Sequence, residues 1–175
     1  MIYYISKIWK ISFDNSLALT QDFKYKKNKE LSKYKKVDMG GTVGNNIRKQ
    51  INNKAEFLSS YKFSIAMENS EGDGYISEKI VDAFLSGTIP IYYGDYMVDE
   101  YINPKTYILI KGEKDINKKI EYIKEIDNND ELYKKILKEN VIIDKNIVFD
   151  TQNELKEFLY HIFEQEKIKA YRKML

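Results

Sequence analysis

The middle of the chain constrains the fold most, because it alternates strand, loop, helix and strand patterns. Residues 62–67 end in three consecutive apolar residues. A short, continuous apolar run is typical of a strand buried on both faces of a parallel sheet. Residues 88–93 and residues 107–110 form two more segments of this kind.

Between the first two segments, the sequence predicts a helix over residues 77–86. Apolar residues recur at helical spacing from Ile76 to Phe84, and Gly87 stands where a helix commonly ends. A strand, a helix and a second strand in this order form a βαβ unit. The sequence therefore predicts an α/β fold whose parallel sheet is covered by helices.

The flanking regions predict further elements. Alternation of apolar and polar residues over residues 1–13 indicates one strand. Helical spacing predicts a helix around residues 116–126, a second around 130–137 that Asp130 caps, and a last one around 155–162. The segment from 141 to 149 has no clear pattern.

Residues 14–36 form a polar stretch that is rich in lysine. One interpretation is a patch that binds phosphate or nucleic acid. The favoured interpretation is a solvated helix face, with Phe23, Leu31 and Tyr34 packing inward.

Charge and composition exclude several classes of function. Lys and Arg number 29 and Asp and Glu 27, so a net charge of +2 gives no general attraction for nucleic acid, and no such partner is expected. The chain contains no Cys and one His, which excludes disulfides, cysteine nucleophiles, thiolate zinc sites and histidine metal clusters. The length of 175 residues suits one ordinary domain.

The termini predict a cytoplasmic location. Lys7 and Lys10 interrupt the apolar N-terminus before it is long enough for a secretion signal, and no segment approaches a membrane span. A second interpretation is peripheral association with the inner membrane of a bacterium through the basic C-terminal end. That end contains Lys167, Lys169, Arg172 and Lys173.

The loop after the first apolar strand and the helix that follows it supply candidate ligand-binding residues. Ligands of open α/β sheets bind beyond the carboxyl ends of the strands, where a helix N-terminus attracts anions. Lys79 would then favour a phosphate, Glu78 the hydroxyls of a ribose, and Tyr75 a base, while Asn69 offers a donor and an acceptor. The alternative is that Glu78 and Lys79 are solvent-facing helix residues and that Asn69 only forms a turn.

A calcium loop in the same region is excluded by its spacing. If Asn69, Glu71 and Asp73 were positions 1, 3 and 5 of such a loop, position 12 would be a bidentate Glu. That position is Ile80, so no metal site is predicted.

Three ordered motifs occur in the middle of the chain. They are YKFSIAMENS at residues 61–70, GYISEKI at residues 74–80, and GTIPIYYG at residues 87–94, followed by Pro104. Together they resemble the signature of the α-1,3/4-fucosyltransferases, which form family 10 of the glycosyltransferases. Residues 31–41 and the pair Asn45 and Asn46 also resemble bacterial members of this family.

The resemblance implies a two-domain GT-B fold, of which this chain looks like the Rossmann-like C-terminal half. Residues 39–175 would be the domain that binds a GDP-sugar. Residues 1–38 would be an N-terminal strand and a basic helical segment that remain from the region between the two domains. The N-terminal acceptor domain would be missing from this chain.

The resemblance also implies a role for each candidate residue. Glu78 would hold the ribose hydroxyls, Lys79 the diphosphate, Tyr75 the guanine, and Asn69 the donor near its phosphates or sugar. The family places an Arg upstream to neutralise the diphosphate, and the counterpart by spacing here is Lys24, which cannot form the bidentate contact of an arginine. Lys79 is expected to be a surface lysine, so that Lys79→Ala abolishes GDP binding and leaves the fold intact.

The implied reaction is inverting transfer of L-fucose from GDP-fucose to a hydroxyl of N-acetylglucosamine or glucose, in glycan biosynthesis or protein glycosylation. An acceptor such as N-acetyllactosamine is expected, without an obligatory metal or other cofactor. No catalytic residue is assigned in this chain, because the general base would belong to the N-terminal domain. One alternative is a protein that binds a GDP-sugar without turnover, as a stand-alone GDP-sugar-binding module or an inactive truncated pseudoenzyme. The other is a structural α/β domain without a ligand.

Overall fold

An open, five-stranded parallel sheet forms the centre of the protein. The structure is a computed structural model that describes residues 11–13, 30–40, 45–69, 74–144 and 146–164. The strands lie in the order β2-β1-β3-β4-β5, and every pair is parallel. They are β1 (Ile11–Phe13), β2 (Val37–Met39), β3 (Phe63–Met67), β4 (Ile89–Tyr93) and β5 (Ile108–Leu109).

The helices lie on both faces of this sheet, as the βαβ pattern predicts. Residues 30–34 are also helical, and Glu113–Asp115 form a turn of 3₁₀ helix. The α-helices are α1 (Lys54–Ser59), α2 (Glu78–Leu85), α3 (Val98–Tyr101), α4 (Ile116–Asn128), α5 (Asp130–Lys138) and α6 (Ile147–Glu164).

The two faces of the sheet bury different side chains. On one face, Phe63, Ile65 and Met67 of β3 pack with the apolar stripes of α4 and α5. On the other face, the smaller Ala66 leaves room for α2 and α3, so that Ile80 of α2 is fully buried. Strict alternation along an extended strand explains this division.

Pro90 lies inside β4 although proline has no backbone N–H for a sheet ladder. The N–H of Ile89 donates to the carbonyl oxygen of Lys62 before β3 over 2.9 Å, so the nitrogen of the next residue faces the other neighbour, β5. Pairing with β5 begins only at Ile91, which is opposite Ile108. The proline therefore costs the sheet no hydrogen bond.

Helix α2 begins and ends where the sequence predicts. The Ser77 side chain accepts a hydrogen bond from the backbone N–H of Lys79 and caps the N-terminus. Gly87 has a φ of +66° just beyond the C-terminus, a conformation that glycine adopts without strain. The predicted strands that end at 67, 93 and 110 are likewise confirmed, with β5 shorter than expected.

Other elements differ from the prediction. Asn129, and not Asp130, caps α5 by accepting a hydrogen bond from the Leu132 N–H. The unassigned segment from 141 to 149 contains a bridge between Ile142 and Ile102 and the start of α6. Leu31 is buried as predicted, whereas Phe23 lies outside the described residues.

The predicted boundary between residues 38 and 39 falls within β2. Strand β1, from the first predicted segment, pairs with both β2 and β3. The described sheet therefore contains strands from both segments.

A buried ionic cluster joins α4, α5 and the start of β3. Lys62 is 4% exposed, and its Nζ donates to the Asp127 carbonyl oxygen over 3.1 Å and to Asp130 Oδ1 over 3.0 Å. The Asp127 carboxylate accepts from the Tyr34 hydroxyl over 2.8 Å and from Lys35. This cluster fixes the amino-terminal edge of the sheet, opposite the edge where α/β ligands bind.

Within the described part of the chain, no helix combines the length and the apolar character that crossing a bilayer requires.

Stability is expected to fall as the pH rises above 10, because buried tyrosines must remain neutral. Burial, with the nearby Asp130 carboxylate, raises the pKa of Tyr133 from 10.0 to about 12. The unfolded chain ionises first, so the contribution of this group is complete below pH 10 and is lost towards pH 12. Urea unfolding across this range should show a shallower decline for Tyr133→Phe than for the wild type; equal declines would contradict the prediction.

Candidate functional site

The candidate site lies at the carboxyl edge of the sheet, where β3 and β4 end beside the N-terminus of α2. Glu68 directly follows β3, and its N–H donates to the Tyr93 carbonyl oxygen at the end of β4 over 2.8 Å. The strand order reverses between β1 and β3, and such a switch point opens a crevice at this edge. Asn69, one residue further on, therefore lies beside the crevice.

A buried carboxylate connects the end of β3 to the first turn of α2. Glu68 Oε1 accepts from the Ser77 N–H over 2.8 Å, and Oε2 accepts from Ser77 Oγ over 2.6 Å and from Lys79 Nζ over 3.2 Å. Lys79 Nζ also donates to Ser77 Oγ over 3.2 Å. Charge-assisted hydrogen bonds of this kind, shielded from water, hold the helix terminus against the sheet.

The prediction that Lys79 is a surface lysine is wrong, since this residue is only 6% exposed. Its ammonium group lies against Glu68, which is 2% exposed and belongs to a different element of the fold. An ammonium has three N–H donors, and the contacts to Glu68 and Ser77 use two of them. No contact among the described residues uses the third N–H donor, which a ligand oxygen could therefore accept.

A second buried carboxylate binds the backbone at Gly74, shortly before the start of α2. Asp95 is 5% exposed; its Oδ2 accepts from the Gly74 N–H, and its Oδ1 accepts from the Met97 N–H over 3.0 Å. Gly74 has a φ of +77°, which favours glycine. Asp95 therefore ties the loop after β4 to the residue that precedes Tyr75.

Gly94 leaves room for the side chains of Tyr92 and Glu68 to pack against the backbone. A Cβ atom at this position would lie 2.4 Å from the Tyr92 hydroxyl oxygen and 2.6 Å from Glu68 Cγ. Burial, together with the charges of Glu68 and Asp95, raises the pKa of Tyr92, so its hydroxyl stays neutral. Any side chain at position 94 would displace this packing.

The predicted ligand-binding residues gather at this edge with different exposures. Tyr75 is 42% exposed, Glu78 is exposed, and Asn69 is half-buried. The structure thus brings Asn69, Tyr75, Glu78 and Lys79 to one edge of the sheet. Lys24 lies outside the described residues, so its predicted position in the site stays a prediction.

Sequence reasoning missed Glu68, Ser77 and Asp95 as residues that build the site. A carboxylate directly after a completely buried strand was a usable signal for Glu68, because such a side chain begins where the core ends. Asp95 follows β4 in the same way. The described residues contain no cluster of three or more His, Cys, Asp or Glu side chains that could hold a metal ion.

An open parallel sheet that is covered by helices on both faces, with candidate ligand-binding residues at its carboxyl edge, defines the Rossmann-like class of α/β domains. Residues 7–170 match the family described as glycosyltransferase family 10 (fucosyltransferase) C-term. The chain therefore belongs to glycosyltransferase family 10, the family that its motifs resemble.

Individual relatives agree with this assignment. An α-(1,3)-fucosyltransferase of Helicobacter pylori is 41% identical over 110 residues, which cover 63% of this chain and 23% of the relative. A crystal structure of an α1,3-fucosyltransferase superposes with a TM-score of 0.83 at 31% identity, over 97% of this chain and 49% of that one. A crystal structure of an α1,3-fucosyltransferase with GDP-fucose gives a TM-score of 0.83 at 32% identity, over 95% and 50%.

These matches confirm the predicted fold, the Rossmann-like C-terminal half of a GT-B glycosyltransferase. The chain spans about half the length of the solved structures that it matches and 23% of the Helicobacter relative.

Replacing Lys79 is expected to destabilise the fold, in contrast to the expectation for a surface residue. Lys79→Met leaves the Glu68 carboxylate buried without its cation, which should lower the free energy of unfolding by about 3–5 kcal/mol. Urea unfolding measures this difference. Lys54→Met is the control, because its partner Asp82 is one-third exposed, and about 1 kcal/mol or less is expected there.

The double variant Glu68→Gln with Lys79→Met should recover part of the lost stability, since it removes the uncompensated charge. Equal costs for the Lys79 and Lys54 variants would show that the buried ion pair has no special importance.

Proposed function

We propose that this chain binds GDP-fucose at the carboxyl edge of its sheet and acts as the donor-binding half of an inverting α-1,3-fucosyltransferase. The observation that carries the proposal is the gathering of Asn69, Tyr75, Glu78 and Lys79 around the N-terminus of α2, in a chain that belongs to glycosyltransferase family 10. The likeness to a fucosyltransferase solved with GDP-fucose supports the choice of donor.

The exposed residues of the site would bind the nucleoside. Tyr75 presents its ring to solvent beside the crevice, and a purine can stack on such a face. The exposed Glu78 carboxylate can accept hydrogen bonds from both hydroxyls of the ribose. Guanosine would thus lie across the start of α2.

The buried residues would bind the diphosphate. The N-terminus of α2 carries partial positive charge, and Lys79 adds its remaining N–H donor. Because Glu68 neutralises Lys79, this lysine contributes less net charge than a free one. We therefore assign the remaining neutralisation to Lys24, as the counterpart of the family arginine, and place Asn69 near the phosphates or the fucose.

The proposed transfer breaks one bond and forms another at the same carbon. An acceptor hydroxyl oxygen attacks C1 of fucose, while the bond from C1 to the β-phosphate oxygen breaks and GDP leaves with the electron pair. The hydroxyl proton passes to a general base that we assign to no described residue of this chain. The helix terminus and Lys79 stabilise the charge that develops on the leaving diphosphate, and no metal or other cofactor is required in this proposal.

For the acceptor, we propose only its chemical class. A hydroxyl of N-acetylglucosamine or glucose in a glycan such as N-acetyllactosamine is the proposed nucleophile. The cytoplasmic location and the peripheral association with a membrane stay predictions, because the basic residues 167–173 lie outside the described residues.

Calorimetric titration of GDP and GDP-fucose into the chain is expected to show saturable binding. Glu78→Ala should weaken binding about 10-fold, because two hydrogen bonds to the ribose are lost. Glu125→Ala, an exposed residue of α4, serves as the control and should bind like the wild type. A folded wild-type chain that binds neither ligand would contradict donor binding.

Turnover distinguishes an enzyme from a module that only binds the donor. The expected product, with GDP-fucose and N-acetyllactosamine, is fucosylated acceptor together with released GDP. Product formed by this chain would exclude a module that only binds the donor, whereas saturable donor binding without product is expected both from such a module and from a donor-binding half by itself.

A further inference from the structure

We propose that Asp95 and Glu68 are positioning residues that fix the two ends of the segment from residue 74 to residue 79 and thereby set nucleotide selectivity. Asp95 would fix the base-binding end through Gly74 and Tyr75, and Glu68 the phosphate-binding end through Ser77 and Lys79. This inference rests on the proposed function, because it assigns a nucleotide to the same segment.

Among the described residues, few contacts within the segment itself restrain the base-binding end. Gly74 adopts a left-handed conformation, and a backbone hydrogen bond joins the Ile76 N–H to the Gly74 carbonyl oxygen over 3.0 Å. The Asp95 carboxylate supplies an anchor from another element by accepting from the Gly74 N–H. Tyr75 follows directly, so this anchor sets where its exposed ring lies.

The phosphate-binding end is held by a different set of bonds. Glu68 accepts from the Ser77 N–H, the Ser77 hydroxyl and Lys79 Nζ, at distances from 2.6 to 3.2 Å. These bonds fix the position of the Ser77 cap and, on the same carboxylate, the position of the Lys79 ammonium group. They make no contact with Gly74 or Tyr75, so the two carboxylates hold separate ends of the segment.

Both carboxylates are buried, at 2% exposure for Glu68 and 5% for Asp95. Their hydrogen bonds go to backbone N–H groups and to the Ser77 and Lys79 side chains, which gives both carboxylates a positioning role. Since removing a buried acceptor leaves a donor unsatisfied, the loop must rearrange when either is truncated. The consequence should differ between the two ends.

Affinities for GDP and UDP, measured by calorimetry, separate the two effects. Asp95→Ala should reduce the preference for GDP over UDP by about 10-fold, an effect of the size expected from loss of aromatic stacking on a base. Asp95→Asn should retain most of the preference, because an amide oxygen still accepts from the Gly74 N–H. Glu68→Gln should weaken both nucleotides by the same factor and preserve the preference.

Glu100→Gln is the matched control, because it removes an exposed carboxylate from α3 with the same change of charge as Asp95→Asn. It should leave both affinities unchanged. An Asp95→Ala protein with the wild-type preference would overturn the proposal. An equal loss for GDP and UDP in that variant would also overturn it, since a merely structural role predicts that result.

Amide hydrogen exchange tests the positioning without any nucleotide. Exchange at Gly74 and Tyr75 should increase in Asp95→Ala, while the amides of α4 keep their protection. If the wild type does not bind GDP but exchange at Gly74 and Tyr75 still increases in Asp95→Ala, the proposed function is contradicted and the anchoring role of Asp95 is supported. If exchange at these two amides is unchanged in Asp95→Ala, the anchoring role is contradicted, whether or not the wild type binds GDP.

Discussion

The ion pair between Glu68 and Lys79 is the interaction on which the rest of the candidate site depends. It joins the residue that directly follows β3 to the first turn of α2, where the Ser77 hydroxyl also bonds to Glu68. A charged pair with so little exposure gives small net stability, because desolvation offsets most of the attraction. Its importance lies in geometry, since loss of either partner leaves a charge that the interior cannot solvate.

The same strand is held by charge at its other end. Lys62 precedes β3 and bonds to the junction of α4 and α5 through Asp127 and Asp130. Between the two clusters, β3 presents large side chains to one face and small ones to the other. Strand β3 is thus held at both ends, which fixes the positions of Glu68 and Asn69 at the carboxyl edge of the sheet.

Local patterns were sufficient for the βαβ unit, because burial on both faces makes the ends of β3 and β4 apolar, and Gly87 marks the end of α2. Strand β2 and helix α1 were missed because three and six residues are too few to show a period. The family motifs identified the fold and the candidate site residues that the structure brings to one edge of the sheet.

The sequence by itself determined the parallel α/β fold, the position of α2 and the family, because these follow from periodicity, capping and ordered motifs within short stretches. Only the tertiary structure decided that Lys79 is buried against Glu68 and that Asp95 holds Gly74, across 21 residues. The physical reason is that burial and ion pairing depend on which elements meet. Parallel strands bring their carboxyl ends to one edge, and no local pattern reports the distance between residues that come together there.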